Sequence, residues 1–220
     1  MYKNEFDNYL KQNKKFKAYM FYGQSIFLIE QYALVIAQSL GNSDEIEKLY
    51  FDDYDFKYVK DKLLQSSLFS SNNIVLIKTD KKIPKKEVDS LIEACNLNPD
   101  STVIFACLGD GDFKTMEASF SLKTNSAAVR FFLPTDIEAI KFLEFEAKML
   151  NMRVEPSALN HLYFMHKNDL ALCVNDMKKL SIFDETITTH IVDAHCFGIG
   201  AVNFEDFLHD LLSGKDISSD

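Results

Sequence analysis

Short apolar runs alternate with helix-like stretches between Lys17 and Phe132. This alternation constrains the fold more than any other feature, because it is typical of a parallel sheet whose strands are joined by crossover helices. Five runs have the length and composition of strands: Ala18–Tyr22, Glu47–Phe51, Asn73–Lys78, Thr102–Cys107 and Ala127–Phe132. The third and fourth are apolar without alternation, as expected of central strands covered on both faces. The first part of the chain is therefore predicted to be an α/β domain with a parallel five-stranded sheet.

The segments between these strands have helical composition. Helices are predicted near Ser25–Ser39, Phe56–Leu64, Pro84–Cys95 and, less regularly, Phe113–Leu122. The first of them is apolar nearly all round, which predicts that it packs deep against the sheet.

After Leu133-Pro134 the pattern changes to helices alone. Thr135, followed three residues later by Glu138, fits a capping box. Further helices are predicted at Pro156–His166, at Asp169–Phe183 with Asn168 as its cap, and at Thr189–Cys196. We therefore expect an α/β domain over residues 1–134, a small helical bundle over residues 135–200, and a further amphipathic helix, Phe204–Leu212, within residues 201–220.

The composition argues against nucleic-acid binding and membrane insertion. The formal net charge is −9 and the chain has two arginines, Arg130 and Arg153, whereas binding to nucleic acid depends mostly on neutralisation of phosphates by Lys and Arg. No stretch approaches the roughly 18 to 20 apolar residues that a membrane span requires. Residues 1–17 are polar and lack an apolar signal region. We therefore expect a soluble, cytoplasmic protein that contacts no membrane.

The cysteines and histidines lack the spacing of metal ligands. Successive cysteines are 12, 66 and 23 positions apart, which allows neither a C-x-x-C pair nor a zinc ribbon: Cys95, Cys107, Cys173 and Cys196. The histidine pairs are five positions apart, whereas helical metal pairs are three or four apart: His161 with His166, and His190 with His195. Buried reduced thiols and no metal site are predicted.

The first strand runs into Gly23-Gln24-Ser25-Ile26-Phe27-Leu28-Ile29-Glu30, where a phosphate-binding loop would lie. Such a loop reads G-x-x-x-x-G-K-S/T, so that backbone amides wrap the phosphate and the Lys reaches it. Here Leu28, Ile29 and Glu30 stand in the Gly, Lys and Ser/Thr places, so apolar side chains fill the cradle and Glu30 repels a nucleotide. The lone Asp80 after the third strand does not replace the acidic pair that an ATPase uses. We expect a degenerate nucleotide loop, no cofactor and no catalytic residue.

Two large apolar residues, Leu68 and Phe69, stand between the polar neighbours Ser66, Ser67 and Ser70 just after a helix. Such a pair is either tucked under its own loop or offered outward to a partner. The residues alone favour a local core plug, because isolated apolar residues usually need no functional explanation.

The order of several short motifs is specific. Phe51-Asp52 precedes a helix, and Gln65-Ser66-Ser67-Leu68-Phe69 then leads into the strand Ile74-Val75-Leu76-Ile77. Further motifs are Tyr22-Gly23, Asn98-Pro99-Asp100-Ser101-Thr102, Phe132-Leu133-Pro134, Asn168-Asp169-Leu170, Asn175-Asp176-Met177-Lys178-Lys179-Leu180 and Ile187-Thr188. Over nearly the whole chain this order resembles the delta subunit of the bacterial DNA polymerase III clamp loader.

The resemblance implies an AAA+-like sheet domain that does not hydrolyse ATP, followed by a helical lid domain. In that family the Leu-Phe pair enters a hydrophobic pocket on the sliding clamp, the beta subunit, so Leu68 and Phe69 are expected to bind the clamp. Ser66, Ser67 and Ser70 are expected to shape the loop around them. The bound form would favour a ring shape that the closed clamp resists, and so help to open the ring.

The resemblance also implies partners and a location. The family has a third, helical collar domain that joins the other clamp-loader subunits, and residues 201–220 resemble only its start. We therefore expect a truncated chain or a short member that contacts DNA only within the full complex. It would catalyse nothing itself and count as a nucleotidyltransferase only through membership of the polymerase holoenzyme. Its expected location is the nucleoid-associated replisome in the cytoplasm.

Two other classes of protein stay open. One is an ATP-hydrolysing AAA+ relative, such as a loader motor subunit or a replication initiator; tight nucleotide binding would support it. The other is a DNA-binding or interaction module that uses its lysines, for which strongly salt-dependent DNA affinity would be the sign.

Overall fold

The structure, a computed structural model, describes residues 1–65, 72–109 and 111–198. The chain divides into two compact units, Met1–Leu133 and Pro134–Asp220. The Leu68-Phe69 segment, Asp110 and residues 199–220 lie outside the described residues.

The first unit is built on a parallel sheet, which confirms the predicted α/β fold. Its strands lie in the order β2-β3-β4-β1-β5. They are β1 (Ala18–Gly23), β2 (Ile46–Tyr50), β3 (Asn73–Thr79), β4 (Ser101–Cys107) and β5 (Ser126–Phe131). Every residue of β4 is buried, as expected of the middle strand of a sheet covered on both faces.

Helices cover both faces of this sheet. They are α1 (Lys3–Lys11), α2 (Ile26–Leu40), α3 (Phe56–Leu64), α4 (Lys85–Leu97) and the short α5 (Lys114–Glu117). Successive residues of a strand point to opposite faces. Met20 of β1 accordingly shares a core with buried residues of α3 and α4, whereas Tyr19 and Phe21 meet the ring of Phe6 from α1. Leu28 and Ile29 of α2 are also buried.

The described part of the second unit consists of helices with one isolated bridge between Val154 and Ile187. The helices are α6 (Asp136–Met149), α7 (Pro156–Met165), α8 (Leu170–Leu180) and α9 (Thr189–His195). The predicted capping box begins α6: Thr135 accepts the Glu138 amide, and the Glu138 carboxylate accepts the Thr135 amide at 3.0 Å. This confirms the helix start that the sequence predicted.

The structure differs from the predicted secondary structure at three places. Helix α1 was not predicted, because residues 1–17 are mostly polar, although Phe6, Tyr9 and Leu10 have the spacing of one helix face. The helix predicted over Phe113–Leu122 shortens to α5, followed by a separate 3₁₀ turn that begins after Ser121. The cap of α8 is Asp169 rather than Asn168. Asn168 has a φ of 69°, in the left-handed region, whereas the Asp169 carboxylate accepts the amides of Ala171 and Leu172.

The four cysteines are free and buried, which confirms the prediction of reduced thiols. Burial raises the pKa of the Cys95 thiol to about 12, so this group stays protonated at neutral pH. Within residues 1–65, 72–109 and 111–198, no helix is long and apolar enough to cross a membrane.

A buried carboxylate ties two helices of the second unit together. Asp176 of α8 is 5% exposed and accepts hydrogen bonds from His166 Nε2 at 2.7 Å and from Lys179 Nζ at 2.6 Å. Burial disfavours the ionised form, but the hydrogen bonds from Lys179 and His166 outweigh this effect and hold the pKa of Asp176 below its usual value. The charged form is therefore the one that stabilises the fold.

Replacing Asp176 with Asn should lower the free energy of unfolding by about 1.5–3 kcal/mol at neutral pH, because hydrogen bonds to a buried charge are lost. Since the folded-state pKa is lowered, this contribution is present above the unfolded pKa of about 4 and is lost as the pH falls through the folded value. Thermal and urea unfolding of both proteins should therefore show a difference that shrinks below pH 4.

Asp193→Asn is the matched control. Asp193 also accepts from a histidine, His161, at 2.6 Å, but both side chains are largely exposed. An exposed pair contributes about 0–1 kcal/mol, so the control should change stability little. Equal effects of the two substitutions would contradict the importance of the buried charge.

Candidate functional site

The turn between β1 and α2 is the place where a phosphate cradle would lie, and it is short. Gly23 is the last residue of β1 and pairs with Phe131 of β5. Its φ is 130°, and a Cβ at this position would collide with the Phe131 carbonyl oxygen. Gln24 donates its amide to the same oxygen at 2.8 Å. The sheet itself therefore requires glycine at position 23.

Helix α2 begins within the segment that would form a phosphate loop. Ser25 caps the helix by accepting the Leu28 amide at 3.4 Å, and its carbonyl accepts the Ile29 amide at 3.0 Å. The amides of Leu28 and Ile29 are thus engaged inside the protein. Both side chains are buried, so they occupy the interior rather than a cradle open to a ligand.

Glu30, the third residue at the degenerate loop, has a partner on the sheet. Its Oε1 lies 2.6 Å from Lys78 Nζ, and Lys78 Nζ lies 5.4 Å from the centre of the Tyr50 ring. A cavity of about 220 Å³ adjoins this pair and is lined by Phe27, Glu30, Gln31, Leu34, Lys48, Tyr50, Leu76 and Lys78. The residues that line it come from α2 and from strands β2 and β3. Asp80, just beyond β3, is exposed.

The segment assigned to clamp contact by resemblance falls between the end of α3 and the amino end of β3 in the sequence. That segment, with Ser66, Ser67, Leu68, Phe69 and Ser70, lies outside the described residues. Its flanking residues are Gln65, just after α3, and Asn72, just before β3.

Polar side chains from three places hold these flanks. Asn98 Nδ2 donates to the carbonyls of Leu63 and Gln65, at 3.0 Å each. Ser101 Oγ donates to the Leu63 carbonyl at 2.7 Å, and Asn73 Nδ2 donates to the Lys62 carbonyl.

On the other flank, Glu45 Oε1 accepts the Asn72 amide at 2.9 Å. Sequence reasoning did not assign this role to Glu45, Asn73, Asn98 and Ser101. Asn98-Pro99 looks like an ordinary turn, and nothing local shows that its side chain reaches a helix end more than thirty positions earlier.

Two histidines serve as hydrogen-bonding partners within the second unit. His161 pairs with Asp193, and His166 pairs with Asp176. Among the residues that the structure describes, no group of three His, Cys, Asp or Glu side chains could hold a metal ion.

Comparison with known proteins identifies the family. A family model described as DNA polymerase III, delta subunit, matches residues 19–132, which is more than half of the chain. The chain belongs to the DNA polymerase III delta-subunit family. A second family model, described as a middle domain, matches residues 135–194. Two curated relatives from Helicobacter pylori, strains J99 and 26695, are each 27% identical; the alignments cover 99% and 98% of this chain and 69% and 68% of the relatives.

Solved structures place this delta-family chain among AAA+-like folds. The Bacillus subtilis DNA clamp loader delta protein superimposes with a TM-score of 0.61 at 16% identity, over 97% of this chain and 72% of that protein. The RuvB Holliday junction branch migration motor of Thermotoga maritima superimposes with a TM-score of 0.51 at 15% identity, over 88% of this chain and 66% of that one. The predicted AAA+-like fold is confirmed.

We expect this chain to bind neither ATP nor ADP, because the amides of Leu28 and Ile29 are engaged in the helix start and the loop lacks the Lys and Ser/Thr that hold phosphate and magnesium. Isothermal titration calorimetry with each nucleotide and magnesium should give no heat above dilution. A protein with an intact phosphate loop, measured in the same buffer, is the positive control.

A micromolar dissociation constant would overturn this expectation. So would ATP hydrolysis that is abolished by Asp80→Asn, since this substitution lies outside the folded core.

Proposed function

We propose that this chain binds a DNA sliding clamp and helps to open the ring, so that the clamp can be loaded onto primed DNA during replication. The observation that carries the proposal is membership of the DNA polymerase III delta-subunit family over residues 19–132. The fold of the Bacillus subtilis clamp loader delta protein, shared over 97% of this chain, supports it.

The contact with the clamp is proposed to lie in the segment between α3 and β3. Leu68 and Phe69 would enter an apolar pocket on the clamp, and Ser66, Ser67 and Ser70 would shape the loop around them. Two apolar side chains that become fully buried on binding act as hot spots, because most of the affinity of an interface comes from a few such residues. Ring opening would follow from tighter binding to the open form of the clamp than to the closed form.

In this proposal the chain works without nucleotide hydrolysis, and the other subunits of the loader supply the ATP chemistry. The closed turn at Gly23 and the buried Leu28 and Ile29 support this division of labour. The expected partners are the clamp and the other loader subunits, with DNA reached only in the full complex. The expected location is the replisome in the cytoplasm.

A second candidate function is that of an ATP-driven motor, favoured by the fold shared with the RuvB branch migration motor. The geometry of the β1–α2 turn weighs against it. A motor must hold nucleotide phosphates at this turn, and here the amides of Leu28 and Ile29 are already engaged by Ser25 at the helix start.

Replacing both Leu68 and Phe69 with Ala should weaken clamp binding by about two to four orders of magnitude. Each side chain is worth about 1.5–3 kcal/mol when fully buried at the interface. The melting temperature should barely change if these residues serve the partner rather than the core. Surface plasmon resonance with the immobilised clamp and thermal unfolding of the same variant measure both quantities.

The matched control is the double variant Ile137→Ala/Phe145→Ala. Both residues lie on α6 and are 70% and 57% exposed, so the control removes one aliphatic and one aromatic side chain from a surface elsewhere in the chain. Clamp affinity should stay unchanged. If Leu68→Ala/Phe69→Ala instead lowers the free energy of unfolding by several kcal/mol and leaves clamp affinity intact, the pair is a local core plug and the proposed contact is wrong.

A further inference from the structure

The end of α3 is capped by distant side chains as well as by its own chain. The last four carbonyls of a helix lack partners inside the helix, and many helices satisfy them with a glycine that turns the chain back. After Leu64, the last residue of α3, comes Gln65, in an extended conformation with φ −71° and ψ 127°. Its amide reaches the carbonyls of Asp61 and Lys62. Side chains supply the other donors. Asn73 donates to the Lys62 carbonyl, Asn98 donates to the carbonyls of Leu63 and Gln65, and Ser101 donates to that of Leu63.

These capping side chains are buried and lie at or just before the starts of β3 and β4. Ser101 is the first residue of β4 and is fully buried, and Asn73 is the first residue of β3. The two residues are partners in the parallel register, and Asn73 Nδ2 lies 3.4 Å from Ser101 Oγ. Asn98 is 7% exposed, and its Oδ1 accepts the Asp100 amide at 3.1 Å, which fixes the orientation of its amide group. The end of α3 is thus bonded directly to the sheet.

The other flank of residues 66–71 is held in the same way. Glu45 is 9% exposed, and its carboxylate accepts the amide of Asn72 at 2.9 Å and that of Asn42 at 2.8 Å. Asn73 donates its amide to the Asp100 carbonyl at 2.8 Å. A buried carboxylate requires strong hydrogen bonds to offset its desolvation, and one of them here comes from the residue next to the loop.

We propose that Asn98, Ser101, Asn73 and Glu45 are positioning residues, which hold the two flanks of residues 66–71 in the arrangement that the sliding clamp binds. This inference rests on the proposed function, because it assumes that Leu68 and Phe69 contact the clamp. The four residues act through the loop and do not touch the clamp themselves. Fixing both flanks in the free protein lowers the ordering entropy that the loop loses on binding, which raises affinity without a new contact.

Helix capping alone would predict an effect on stability and none on affinity. The two roles are separable because clamp affinity can be measured far below the melting temperature, where every variant is folded. A purely structural hydrogen bond would then leave the affinity unchanged.

Ser101→Ala provides the sharpest test, and Ser126→Ala is its matched control. Both are serines at the first position of a strand, both are buried, and both hydroxyls bond to the backbone of a neighbouring segment. Only Ser101 bonds to the end of α3; Ser126 bonds to Ser121, before β5. Both variants should lose a few degrees in melting temperature, about 2–4 °C. Ser101→Ala should also weaken clamp binding about three- to tenfold, whereas Ser126→Ala should not.

Asn98→Asp removes the hydrogen bonds to the carbonyls of Leu63 and Gln65 together. It keeps the oxygen that accepts the Asp100 amide. Its expected loss of clamp affinity is about ten- to hundredfold. Should this variant fail to fold, Ser101→Ala still decides the question.

A double-mutant cycle separates this inference from the proposed function. In the Leu68→Ala/Phe69→Ala background, Ser101→Ala should cause no further loss of the residual clamp affinity, because the side chains that it positions are gone. If Leu68→Ala/Phe69→Ala weakens binding but Ser101→Ala and Asn98→Asp do not, the positioning role is wrong and the proposed contact stands. If Leu68→Ala/Phe69→Ala leaves binding unchanged, the proposed contact fails and the positioning role with it. Equal losses from Ser101→Ala and Ser126→Ala would reduce the effect to general stability and would also overturn the inference.

Discussion

The pairing of β4 with β3 on one side and β1 on the other is the constraint on which the rest of the first unit depends. A parallel sheet needs helices on both faces, and only a strand without exposed positions can lie at its centre. All seven residues of β4 are buried. Its register fixes β3 and β1, and through β1 it fixes β5. This register also positions the turn at Gly23, at the carboxyl ends of the strands, and the flanks of residues 66–71, at their amino ends.

The edge of the sheet formed by the carboxyl ends of the strands differs in chemistry from the edge formed by their amino ends. In open α/β sheets a ligand usually binds beyond the carboxyl ends of the strands, near helix starts. At that edge Gly23 lies against Phe131, and α2 begins after two further residues with Leu28 and Ile29 turned inward. At the amino edge, by contrast, buried polar side chains bond to the end of α3 and to Asn72, just before β3. Buried apolar side chains stand where a nucleotide-binding loop would have glycine and lysine, and the buried polar side chains at the amino edge form hydrogen bonds within the protein.

The sequence predicted the strands well because the physical signal for them is local. Unbroken apolar runs placed β3 and β4 to within one residue at each end, and the predicted β1 differs by its final Gly23 alone. Helix α1 was missed because its apolar pattern is short: Phe6, Tyr9 and Leu10 have helical spacing, but they stand in a mostly polar segment. Asn168 and Asp169 are equally good caps by composition, and only the left-handed backbone at Asn168 decides between them.

The interactions at the amino edge were beyond the reach of sequence reasoning for a different reason. Asn98 meets Leu63 across 35 positions, and Glu45 meets Asn72 across 27. A partner at such a distance depends on the register of strands that must already be in place. The degenerate loop could be recognised from sequence because a phosphate loop requires fixed residue types at fixed positions. A hydrogen bond between two distant polar residues requires no such motif, so neither residue indicates it.

Stability alone does not explain why the end of α3 is held by buried side chains. A glycine after the helix would satisfy the same carbonyls locally, without placing an asparagine in the interior. Burying a polar group is unfavourable unless its hydrogen bonds are made, so Asn98 is stabilising only in the one arrangement that its three bonds define. A local cap stabilises a helix end wherever that end lies, whereas Asn98 and Ser101 stabilise it only at a fixed position on the sheet. The cluster therefore fixes where the end of α3 lies on the sheet, and such pre-organisation is what the proposed contact with a partner requires.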